Sequence, residues 1–198
     1  MAVTIEDIKK LKELTGVGLT DAKKALVEAE GDFDKALEEM RKKGLTKAEK
    51  KGDRETREGL IESYVHSNRI GVVVEVNCET DFVARLPEFK EFAHQIAMQI
   101  AAMSPKYATI EDIPAVEYEA KKKELLESDT LKSKPAEMAE KIVEGQLKKH
   151  FAEQVLLEQP FVLDDKMTVA DRVKEQIAKS GENIRISQFK RIELGVTE

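Results

Sequence analysis

At 198 residues the chain has room for one compact domain or two small ones, and it is too short for a large multidomain enzyme. Apolar residues make up 41% of it and charged residues 36%, so a core can form while much of the chain must lie on charged, largely helical surfaces. Its 33 basic and 39 acidic residues leave a net charge of −6, without the basic footprint of a protein that neutralises nucleic-acid phosphates. Direct nucleic-acid binding is therefore not expected.

Cys78 is the only cysteine, which excludes an intrachain disulfide and a multi-cysteine zinc site. The opening MAVTIEDIKKLKELTG carries acids and lacks the apolar stretch of a signal peptide. No run approaches 18 apolar residues, so no membrane span is expected and the simplest location is the cytoplasm.

Residues 1–44 read as three short helices. Thr4 and Asp7 resemble a capping box, and Ile5, Ile8, Leu11 and Leu14 follow at helical spacing. Thr15-Gly16-Val17-Gly18 breaks that helix. A second starts near Thr20 or Asp21 with Ala22, Ala25, Leu26 and Ala29 on one face. A third carries Phe33, Ala36, Leu37 and Met40 inward, gathers Arg41, Lys42 and Lys43 in its last turn, and stops at Gly44. Residues 45–58, almost entirely polar, read as a charged linker and the boundary between this module and a second domain over 59–198.

The second domain opens on strand signals. Gly59 to His66 is one candidate; in the next, Ile70, Val72, Val74 and Val76 alternate with residues of the opposite face, and Ser67-Asn68-Arg69 makes a hairpin loop between them. Pro87 opens an amphipathic helix bearing Phe89, Phe92, Ala93, Ile96, Ala97 and Ile100, closed by Ser104-Pro105. A polar helical stretch from Val116 to Ser128, a break at Ser133-Lys134-Pro135, and a helix with Met138, Ile142, Leu147 and Phe151 predict an antiparallel hairpin projecting from the body. Thr168 with Asp171 repeats the capping-box pattern ahead of Val169, Val173 and Ile177, and Gly181 ends that helix. Ile184, Ile186, Ile192 and Leu194 are expected on one face of a final strand; Phe189 is out of phase, which a bulge would accommodate. The fold class is α+β: a helical bundle, then a core with an antiparallel sheet of about three strands, packed helices and a helical protrusion over about 116–159.

Chemistry is scarce. Gly16-Val17-Gly18 follows a helix rather than a strand and lacks the third glycine of a dinucleotide loop. His66, His94 and His150 fall in separate predicted elements without metal-ligand spacing. Cys78 and His66 are the one pair that could meet as nucleophile and base, although a lone cysteine ending a Val-rich strand reads more simply as a small buried hydrophobe. No catalytic residue, cofactor site or metal site is assigned. In Cys78-Glu79-Thr80-Asp81-Phe82-Val83-Ala84-Arg85 an aromatic follows directly on polar residues at a sheet edge. Either Asp81 caps the next turn with Phe82 packed beneath it, or Phe82 is an exposed wedge aimed at a partner; the pattern leaves both open.

Several segments resemble the bacterial elongation factor Ts family, in that family's order and over nearly the whole chain: LKELTGVGLTDAKKALVEAEGDFDKALEEMRKKG, YVHSNRIGVVVEVN, VNCETDFVAR, MAEKIVEGQLKKHFAEQVLLEQPFV and GENIRISQFKRIELG. The resemblance implies an N-terminal module similar to ubiquitin-associated domains, a coiled-coil protrusion, and guanine-nucleotide exchange on elongation factor Tu without covalent chemistry. It implies that Asp81 and Phe82, with Thr80 and Val83 completing the motif, enter the GTPase near its magnesium site, and that Lys12, Leu19 and Thr20 of the first module contact the same GTPase domain. Longer family members repeat the sheet-containing half and add a C-terminal helical module, whereas this sequence shows one hairpin, one helix of the Phe89 type and one last strand. A lone three-stranded sheet leaves a face poorly covered, which predicts a homodimer and a 2:2 complex with the GTPase. The competing reading is a peptide-binding adaptor or ribosome-associated chaperone that grips apolar segments through Val17 and Leu19.

Overall fold

The computed structural model describes residues 3–15, 17–40, 51–128 and 136–196. The N-terminal module comprises α1 (Ile5–Thr15), α2 (Leu19–Glu28) and α3 (33–40). The Thr4 hydroxyl accepts from Asp7 N at 3.1 Å and Asp7 accepts in return from Thr4 N at 3.4 Å, the reciprocal capping predicted for this start. Small alanines at positions 22, 25, 29 and 36 let the helices close around Leu11, Leu26 and Met40. The spacing of α1 overstates its buried face: Leu11 is buried and Ile8 half-buried, but Ile5 and Leu14 are exposed, because so small a bundle covers only a narrow stripe of each helix. α2 begins at Leu19, ahead of the expected Thr20. The expected stop at Gly44, the Arg41–Lys43 turn and residues 45–50 lie outside the described residues.

The second domain is built on an antiparallel sheet of three strands in the order β1 (Glu58–His66), β2 (Ile70–Cys78) and β5 (Ile184–Glu193). Ser67 and Asn68, with φ of 49° and 56°, turn β1 into β2, and Arg69 N donates to His66 O at 2.9 Å. Both central residues at positive φ match the right-handed twist of the hairpin. Val72, Val74, Val76 and Cys78 point to one face and are covered by α5 (Pro87–Met103) and α8 (Val169–Ser180). A cation–π contact pins those helices together, with the Arg172 guanidinium 5.1 Å from the Phe92 ring centroid. Burial lowers the Arg172 pKa from its usual value, against the opposing pull of Glu175 and Glu91.

The register changes what β5 presents. Val76 pairs with Ile186 but Glu75 pairs with Gln188, so Ser187 is the extra residue of a bulge. Ile184 and Ile186 therefore face the core, Phe189 joins them from beyond the bulge, and Ile192 and Leu194 turn outward. This corrects the expectation that all four aliphatic residues share a face; the bulge suggested by Phe189 reverses the phase of everything after it. Pairing places Ile61, Val65, Val73 and Ile192 together on the outer face, where Ile61 is 72% and Val73 49% exposed.

Between α5 and α8, α6 (Ala115–Leu126) and α7 (Ala136–Ala152) pack on each other as the predicted hairpin requires, and the expected break at Ser133-Lys134-Pro135 lies outside the described residues. It has a small apolar core of its own: Tyr118 stacks on Phe151 at 5.7 Å, beside Val143, Leu147 and Val155. Met138, expected inside, is exposed, and Val143 takes the inner place. The root of the hairpin is tied to α5 by two fully buried glutamines. Gln99 donates to Gln159 Oε1 and Pro160 O and accepts from Val162 N, while Gln159 donates to Met103 O and Glu153 O. Every polar atom of the pair is thereby matched, which burial of amides demands. Two short strands, β3 (Pro160–Phe161) and β4 (Asp164–Thr168), follow. They escape the sequence pattern because a pair this brief has no alternation to display.

Gly59 sits where β1 crosses closely over β2, at φ 152°, and a Cβ there would stand 2.2 Å from Val76 O. Gly59→Ala is expected to destabilise the fold by about 1–3 kcal/mol or more through backbone strain; a urea midpoint equal to that of the native chain would contradict this register.

Candidate functional site

The turn after β2 is a polar network drawn from three separate segments of the chain. The antiparallel pairing of Cys78 with Ile184 brings residues 79–80, which leave β2, beside residues 181–183, which enter β5. Glu182 accepts from Glu79 N at 3.1 Å, from Thr80 N at 3.0 Å and from the Thr80 hydroxyl at 2.6 Å. In the other direction Glu79 accepts from Asn183 N at 2.6 Å and from the Arg54 guanidinium at 3.4 Å. Each loop thus lends a carboxylate to the other's backbone. The buried Asn183 side chain adds the third segment, donating to Gly52 O and Arg54 O, while Lys51 Nζ donates to Gly181 O at 2.6 Å. Residues 51–54 of the polar stretch are in this way fastened to the core. Charge-assisted bonds of this kind are roughly twice as strong as neutral ones.

This clasp decides how the next residues stand. Thr80 is the N-cap of a single helical turn, α4 (Asp81–Ala84), and its hydroxyl oxygen accepts from Val83 N at 3.5 Å while donating to Glu182. Thr80 O in turn accepts from the Cys78 thiol at 3.1 Å. With Thr80 held at nitrogen, hydroxyl and carbonyl, the turn sends Val83 and Ala84 into the core and Phe82 outward, 78% exposed. Asp81 pairs with Arg85 at 2.8 Å, one turn on, at the surface. Of the two readings left open by the sequence, packing of Phe82 beneath a cap is overturned: the cap is Thr80, not Asp81, and the ring stands in solvent.

The other predicted residues fall as follows. Lys12, Leu19 and Thr20 are all exposed, on α1 and the start of α2, whereas Val17 packs against the bundle core. Cys78 and His66 do not meet. His66 pairs with Ile70 at the loop end of the hairpin and Cys78 with Glu58 at the other, about 26 Å apart at ~3.3 Å per residue. His66 and His94 instead flank Tyr64, whose hydroxyl lies 2.9 Å from His66 Nδ1, and His94 Nδ1 lies 3.0 Å from Glu62. Among the described residues no group of His, Cys, Asp or Glu could hold a metal ion, and no helix is long and apolar enough to cross a membrane.

Glu79, Glu182 and Asn183, which shape the turn, are not marked by anything in their sequence spacing. The signal was the strand pairing: once β2 and β5 are taken as antiparallel neighbours, the residue leaving one must lie beside the residues entering the other.

A family model described as elongation factor TS matches residues 3–196. The chain is 52% identical to elongation factor Ts of Fervidobacterium nodosum, over 98% of this chain and all of that protein. It is 54% identical to elongation factor Ts of Thermotoga maritima, over 98% of each, and 52% identical to that of Carboxydothermus hydrogenoformans, over 98% of this chain and 89% of that protein. The chain belongs to the elongation factor Ts family, and so to the elongation factors of protein synthesis.

Burial, and after it the charge of Glu182, pushes the Cys78 thiol up to about 11. An unfolded cysteine gives up its proton near 8.5. The folded state therefore binds the proton more tightly, so this group's contribution is intact below about 8.5 and is lost as pH rises toward 11. A soluble aromatic disulfide at pH 9 is expected to label Cys78 only at the rate of unfolding; labelling within seconds of mixing would contradict the burial.

Proposed function

We propose that this chain is a guanine-nucleotide exchange factor for elongation factor Tu, acting by insertion of the Thr80-Asp81-Phe82-Val83 turn beside the GTPase's magnesium and nucleotide site. The observation that carries the reading is the exposure of Phe82 on a turn whose two following residues are buried and whose cap is clasped from both sides. An aromatic ring held in water by a rigid support gains on transfer into a partner's pocket, with little ordering left to oppose it.

In a GTPase, magnesium bridges phosphate oxygens and offsets their charge. A partner state in which that ion is displaced holds nucleotide weakly, and Phe82 stabilises the state by occupying space that opens only there. Burial of one Phe contributes about 1.5–3 kcal/mol. An acceleration on the order of 10⁴-fold requires about 5.5 kcal/mol off the barrier. Phe82 supplies part; the remainder comes from the wider contact surface, including Lys12, Leu19 and Thr20 of the first module. Reciprocity then requires nucleotide to weaken factor binding as much as the factor weakens nucleotide binding. Excess GDP should accordingly displace the factor, as it would not displace a passive peptide adaptor.

We further propose that two copies pair through the outer face of the sheet, giving a 2:2 complex with the GTPase. Ile61, Val65, Val73 and Ile192 support this: they are exposed on the outer face of the sheet, among Ser63, Glu75 and Lys190, while the inner face buries Val72, Val74, Val76, Ile184 and Ile186.

Stopped-flow release of fluorescent GDP from elongation factor Tu tests the first proposal. Phe82→Ala is expected to lower the accelerated rate about 10- to 100-fold while the melting temperature stays unchanged; equal acceleration by both chains would remove Phe82 from the mechanism. For the second, sedimentation should show a species of twice 22.3 kDa at micromolar concentration, reduced to monomer by Val73→Glu. A stable monomer of the native chain would refute the pairing.

A further inference from the structure

We propose that Glu182 is a positioning residue for exchange: it holds the Thr80–Val83 turn in the shape that presents Phe82, without itself reaching the GTPase. The proposal rests on the exchange reading above and extends it to a residue on a different element, the turn between α8 and β5.

The geometry is directional. A hydroxyl has one proton, and the Thr80 proton is committed to Glu182 at 2.6 Å. The oxygen's lone pairs are thereby turned toward Val83 N, which caps the single turn of α4. Glu182 also takes the amide protons of Glu79 and Thr80, so one side chain fixes the path of the backbone into the turn and the rotor of its cap. A helix of four residues cannot maintain itself by its own hydrogen bonds. Its conformation is set from outside: Glu182 holds the amide and hydroxyl of its cap, the Cys78 thiol holds the cap's carbonyl, and Val83 and Ala84 are packed into the core. Glu182 is in turn anchored from behind: Gly181, at φ 78°, ends α8, Asn183 N is bonded to Glu79, and the Asn183 amide grips residues 52 and 54.

If the turn populates its presenting shape only part of the time, the transition to the displaced-ion state is taxed by that fraction. Encounter with the GTPase also uses the first module, so the loss should fall on the maximal rate rather than on half-saturation. Glu182→Gln keeps the size of the side chain and one acceptor oxygen for the Glu79 and Thr80 amides, but it sets an NH₂ against the Thr80 hydroxyl, which must then accept where it donated, so the proton that oriented the cap toward Val83 N loses its partner.

The experiment is GDP release from elongation factor Tu as a function of factor concentration, for the native chain, Glu182→Gln, Phe82→Ala and the double variant. Glu182→Gln is expected to lower the maximal rate about tenfold with less than a twofold change in the half-saturating concentration. In the Phe82→Ala background the same substitution should cost less than twofold, because Glu182 acts through Phe82. Multiplying effects, or a Glu182→Gln rate within twofold of native, would overturn the proposal while leaving the exchange reading in place. A native chain that does not accelerate release would overturn the exchange reading and this proposal with it. Amide hydrogen exchange on the native chain needs no variant: the Glu79 and Thr80 amides should be protected well beyond the neighbouring surface turn, and unprotected amides there would refute the clasp directly.

Discussion

A carboxylate that accepts three hydrogen bonds from one turn leaves that turn little freedom, and the arrangement around Glu182 depends on this. Its partners are the two backbone amides that lead into the turn and the hydroxyl of the turn's cap. The bonds form only because the β2–β5 register places the ends of those strands side by side, and the register in turn is held by the buried row of Val72, Val74, Val76 and Cys78. The chain of cause runs from alternating valines to strand pairing, from pairing to the clasp, and from the clasp to the exposed ring of Phe82.

The reciprocal use of Glu79 matters as much. Two carboxylates side by side would repel, yet each accepts backbone donors from the opposite loop and Arg54 lies against Glu79 at 3.4 Å. The network also draws residues 51–54 onto the core through Lys51 and Asn183. The segment arriving from the first module is thus fixed beside the turn that bears Phe82.

Much of the fold was legible because it is written in local rules. The capping boxes at Thr4 and Thr168, the helix opened by Pro87, the Ser67-Asn68 turn and the valine alternation of β2 each state their structure within a few residues. Where reading failed, the deciding contact was remote. The bulge at Ser187 reverses Ile192 and Leu194, and only the partner strand reveals it. The exposed Ile5 and Leu14 have the right spacing for burial, but a small bundle offers nothing to cover them. Phe82 stood undecided because its direction is set by a glutamate a hundred residues away. The motif around it was visible; its support was not, since side chains that act through backbone amides leave no periodicity.

Exchange by this route requires residue 82 to enter the GTPase beside its nucleotide. A photoreactive benzoylphenylalanine at position 82, irradiated in the complex with nucleotide-free elongation factor Tu, tests this most directly. Cross-links are expected only in peptides lining the magnesium and phosphate site, and are expected to disappear when excess GDP is present. Cross-links to a surface remote from the nucleotide, or none in a complex that still forms, would contradict this route.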